Sequence, residues 1–156
     1  MIDRALSDEL RRYVARRGQV SDMVRSVCAD HAVGRVAATP QQAAQLRGVL
    51  DRLVDSERRM WANYADRRAE APPPPADRTV LELLDELERA GHANDALEQM
   101  RLADACGVRL VRALERGASI APAQLDEIVD LILAVRASAN RSIVAFLSSP
   151  PPPRRR

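Results

Sequence analysis

Lysine is missing from this sequence: all 24 basic residues are arginine, set against 22 acids, for a formal charge of only +2. Arginine used to the exclusion of lysine is first the mark of a GC-rich genome. A chain so close to neutral lacks the broad positive field that drives sequence-independent binding to phosphate backbones. Aromatics are nearly as scarce, with Tyr13, Trp61, Tyr64 and Phe146 the only four. Leu, Val and Ala must therefore fill the core, which favours interdigitating helices over a sheet sandwich and offers no row of rings on which bases would stack.

Chemistry-bearing residues are equally thin. Cys28 and Cys106 lie far apart without CxxC spacing, so neither a metal nor a redox pair is expected and both read as buried thiols. His31 has Cys28 at helical spacing and His92 has Asp95, and two ligands do not make a metal site. There is no GxSxG, no serine with a plausible histidine base, no glycine-rich phosphate loop and no Glu-x-x-His ligand pair. The acids Glu82, Asp85, Glu86 and Glu88 read as a solvated helix face. The expectation is a chain that is not an enzyme and takes no cofactor or metal.

Long apolar runs are lacking too. Asp3, Asp8 and Glu9 interrupt the start, and Asp130 breaks the longest run, Ile128 to Val135. Neither a signal peptide nor a membrane span is predicted, and a cytoplasmic setting is the expectation that follows.

What is present is helical periodicity. Leu6, Leu10, Tyr13, Val20, Val24 and Val27 recur at alternating spacings of three and four, as do Leu46, Leu50, Leu53, Met60 and Tyr64. Two long helices are predicted, at about 3–31 and 39–69, joined by a loop containing Gly34 and zipped into an antiparallel hairpin. Thr39, Pro40 and Gln42 form a capping box at the start of the second. Arg17 and Glu57 intrude on the two ladders, and folding the hairpin about residue 36 or 37 brings them level, so an Arg17–Glu57 ion pair fixing the register is predicted.

Pro72 to Pro75 cannot be helical and reads as a stiff polyproline spacer, dividing the chain into a hairpin (1–69), a spacer (70–78), a three-helix segment (79–148) and a Pro/Arg tail (149–156). The three helices fall at about 79–90, 94–116 and 121–148, the first with a Thr79 and Glu82 capping box, the second capped by Asn94 and terminated by Gly117. The fold class is all-α, a helical bundle. Leu83 to Leu102 resembles in outline the helix, turn and helix of death-fold adaptor domains, and the long hairpin is similar in outline to small secretion chaperones. Neither outline brings a residue motif that assigns the chain.

The functional expectation is a non-catalytic protein interaction module, a scaffold, adaptor or chaperone that also binds itself through the face a lone hairpin leaves bare. Val49, Arg58, Arg59, Trp61 and Tyr64 are its candidate contact residues. The alternative is a nucleic-acid-coating subunit using the arginine stripes Arg11, Arg12 and Arg16 and, at spacings of three and four, Arg109, Arg112 and Arg116.

Overall fold

Turn and cap chemistry sets the limits of every helix. The computed structural model describes residues 4–36, 38–67, 78–118 and 120–150, which form α1 (Arg4–Ala32), α2 (Pro40–Arg67), α3 (Arg78–Gly91), α4 (Ala96–Glu115) and α5 (Pro122–Ser148), with no strand among them. The all-α bundle is observed. Gly34, at φ 67°, takes the left-handed turn after α1, and the Arg35 amide reaches back to the Asp30 carbonyl at 2.9 Å. At α2 the capping box forms in both directions: the Gln42 amide donates to Thr39 Oγ1 at 3.1 Å, and the Thr39 amide to Gln42 Oε1 at 2.9 Å. Gly117, at φ 80°, ends α4, with the Ala118 amide on the Ala113 carbonyl at 2.9 Å.

Two caps differ from expectation. Asp95, not Asn94, caps α4, accepting from the Leu97 amide at 3.0 Å, because its oxygen stands two residues before that orphan donor. α3 begins at Arg78, so Thr79 is already inside the helix and Glu82 turns to arginines instead: Arg78 at 3.1 Å and Arg109 at 3.1 Å. The four-proline run and the Arg154–Arg156 tail lie outside the described residues.

The expected mutual zipper of α1 and α2 is not the principal packing. The two run antiparallel, with Arg67 on Glu9 at 3.1 Å at one end and the Ala38 amide on His31 Nδ1 at 3.4 Å at the other. Yet α2 lies closest to α5 and α1 closest to α4, while α5 also packs on α4, α3 and α1. α5 is thus the hub, and in cross-section the four long helices follow one another as α1, α4, α5, α2, with the α1–α2 side the loosest; α3 covers α4 and α5. The carboxy-terminal helices cover the hairpin's bare face within the same chain.

The core runs through both halves of the sequence. Leu6, Leu10, Trp61 and Tyr64 share one cluster with Leu83, Leu87, Leu110, Ile128 and Ile132; Val24, Cys28 and Leu50 share another with Met100, Ala139 and Ile143. Each fully buried leucine or isoleucine contributes roughly 1.5–3 kcal/mol of transfer free energy. In α1 the buried stripe drifts from the expected one: Cys28 and Ser21 are inside, whereas Val27 is 41 % exposed. By length and hydropathy alone α5 is apolar enough to cross a membrane, contrary to the reading of the sequence. Its position as hub accounts for that hydropathy, since Leu125, Ile128, Ile132, Leu133, Ile143 and Leu147 are all buried in the bundle.

Candidate functional site

Four charged residues stand on the core-facing stripes of four different helices and meet in one layer: Arg17 of α1, Asp104 of α4, Arg136 of α5 and Glu57 of α2. Arg17, Glu57 and Arg136 are 2 %, 1 % and 3 % exposed. Around the bundle their signs alternate. The predicted Arg17–Glu57 ion pair does not form; Glu57 is taken by Arg136, whose Nε donates to its two oxygens at 2.6 and 3.1 Å. The Arg136 Nη1 reaches Asp104 Oδ1 at 2.6 Å, and Ser21 donates to Asp104 Oδ2. The physical reason is proximity: α2 and α4 both pack against α5, whereas α1 and α2 stand apart.

Burial works against the Arg136 charge, but Glu57 and Asp104 outweigh it and raise its pKa. For Arg17 burial wins, with Arg136 adding to it, and the pKa is lowered. Burial also holds the Tyr13 hydroxyl protonated far above the usual phenol range. Such a layer is suited to fixing helix register, since any slide by one turn strands a charge in the core.

The residues proposed for partner contact divide. Trp61 and Tyr64 are buried, 5 % and 3 % exposed, and pack edge-to-face with ring centres 5.9 Å apart against Leu6 and Leu10. They are core, because α5 covers the face of α2 that the hairpin alone would leave open. Val49, Arg58 and Arg59 are exposed. The arginine stripes are partly spent on carboxylates. Arg11 pairs with Glu115, and Arg109 with Glu82 at 3.1 Å and Glu86 at 2.5 Å. Arg12, Arg16, Arg112 and Arg116 are exposed, and Arg112 joins Arg11 on the rim of a groove of about 320 Å³ floored by Val14, Val108 and Val111. Each phosphate contact by Arg11 or Arg109 would first have to break an existing pair, which weakens the nucleic-acid alternative.

Among the described residues seven large apolar side chains are exposed: Met23, Val27, Val33, Val36, Val49, Leu81 and Phe146. One of them touches His31 and three lie close to it along the chain. Phe146 packs edge-on to its ring at 5.1 Å between centres, Val27 lies one turn before it on α1, and Val33 and Val36 belong to the turn that follows. Met23 continues the strip by another turn. His31 itself is 1 % exposed and ties this end together, hydrogen-bonded through Nδ1 to the Ala38 amide and through Nε2 to the Ser149 carbonyl at 2.9 Å. With Nδ1 accepting, Nε2 carries the proton.

Cys28 and Cys106 are buried free thiols. Burial raises both, and with Glu86 at 3.6 Å the Cys106 thiol is pushed up to about 12. Among the described residues no three His, Cys, Asp or Glu side chains are grouped so as to hold a metal ion. Comparison with protein-family models, curated proteins and solved structures returned no match.

Sequence reasoning missed Arg136, Asp104 and the apolar end. The first two had a legible signal: Arg136 follows Ile128 and Ile132 at steps of four, and Asp104 follows Met100 and precedes Val111 at steps of four and seven, so both stand on their helices' apolar stripes. The end had none, because it joins a helix terminus, a turn and another helix from opposite parts of the chain.

Proposed function

We propose that this chain is a non-catalytic helical interaction module that docks a protein through the end around His31, with a second copy of itself as the first partner. One observation carries the reading. Of the seven large apolar side chains exposed among the described residues, five (Met23, Val27, Val33, Val36 and Phe146) lie along one end of α1, the turn after it and the close of α5. Scattered singly, such residues require no explanation; gathered on one surface they mark a site that is covered in use. The buried His31 bridge holds α1, the turn and α5 in fixed relation, so the surface is preformed and its ordering is not charged against binding. A two-fold copy placed on the same patch would bury all five on each chain.

Light scattering on the full chain, beside a photo-crosslinking residue at position 146 and another at the remote exposed position 81, tests this. The expected mass exceeds the 17.2 kDa of a single chain, falls to one chain in a Val27→Glu/Phe146→Glu variant with unchanged helicity, and crosslinks arise from position 146 alone. A wild-type chain that stays monomeric at about 100 μM, a concentration far above the Kd of a specific dimer, and that yields no crosslink at position 146, would defeat the proposal.

A further inference from the structure

The charged layer leaves polar atoms of Arg17 without a protein partner, and they face a small space shared with the Tyr13 hydroxyl. Nothing among the described residues hydrogen-bonds the Nε or Nη1 of Arg17, although Arg17 is only 2 % exposed, and the Tyr13 hydroxyl lies against Glu57. Both side chains line a cavity of about 10 Å³ together with Glu57, Asp104 and Arg136, walled by all four long helices. A guanidinium N–H unpaired in a low-dielectric interior bears its full desolvation cost. A small polar cavity with several donors and acceptors on its wall is the setting in which proteins hold an internal water.

We propose that this cavity binds one ordered water molecule, which accepts from Arg17 and donates to the Glu57 carboxylate, with the Tyr13 hydroxyl beside it. Size and charge select water over other ligands. The volume is about that of a single water. Arg17, Arg136, Glu57 and Asp104 already sum to zero, so a halide or oxyanion would place an unbalanced negative charge beside two carboxylates, and a cation would meet two guanidiniums. Water alone offers an acceptor to Arg17 and a donor to Glu57 at once. It also closes the ring: Arg136 joins Glu57 and Asp104 directly on one side of the bundle, and the water joins Arg17 to Glu57 on the other.

Oxygen-17 magnetic relaxation dispersion on the full chain counts waters that stay longer than the molecule takes to tumble. The expected result is a dispersion amplitude that falls by about one water in an Arg17→Met/Tyr13→Phe variant, because the groups that hold it are gone. An amplitude equal in the two proteins overturns the proposal. Should far-UV circular dichroism show that the variant does not fold, a wild-type crystal soaked in bromide decides instead. A peak without anomalous signal, within hydrogen-bond reach of Arg17 Nε or Nη1, supports water. An anomalous bromide peak in its place, no density, or an Arg17 head turned to solvent overturns it.

Discussion

Arg17 and Arg136 share a layer, a charge and a degree of burial, yet they differ in what their removal leaves behind. Arg136→Met strands Glu57 and Asp104 in the interior, and urea denaturation is expected to show a loss of about 3–5 kcal/mol. Arg17→Met breaks no ion pair, and because the fold already disfavours the Arg17 charge, the same measurement is expected to show a change under about 1 kcal/mol or a gain. The thiols supply a pH signature. A thiol with its folded pKa raised keeps its stabilising contribution below its ordinary value and loses it as pH climbs toward the raised one. For Cys106 that window runs from near 9 to about 12. Stability should therefore decline across it, and Cys106→Ala should flatten that decline whatever its effect at neutral pH. Arg17 and Glu57 were legible as misfits in the sequence, because each breaks an apolar ladder. Their pairing was not, since the strongest partner of Glu57 lies 79 residues further along.

The helices themselves were legible because their ends are written locally. Thr39, Gln42 and Gly117 act within a few residues of their own position, and each helix limit they predicted lies within a residue or two of the observed one. Thr39→Ala removes one side of the capping box, and thermal unfolding is expected to show a loss of about 1 kcal/mol; Thr39→Ser should restore most of it. What the stripes could not say is which helix faces which. Nothing in the stripes of α1 and α2 distinguishes packing on each other from packing on α4 and α5, and the choice is visible only in the folded chain, where α2 lies on α5 and α1 on α4. The burial of Trp61 and Tyr64 has the same origin: their exposure depended on what covered the hairpin.

Across the whole molecule charge is unevenly placed along the chain, and the unevenness resolves into contacts. Residues 1–71 carry 13 arginines and 10 acids, residues 72–149 carry 8 and 12, and the two halves meet through Arg11 with Glu115, Ser21 with Asp104 and Arg136 with Glu57. Exposed pairs such as the first are worth little and are screened by salt; the buried ones determine which half-to-half arrangement survives. α5 touches all four other helices, and it follows every one of them in the sequence. On the ribosome, synthesis at roughly 5–20 residues per second delivers the other four first, and of these α1 and α3 have α4 to pack on while α2 has no substantial partner. The stripe of α2 and the α5-facing sides of the other helices stay open until residue 148 has emerged, and completion is a late event exposed to chaperones.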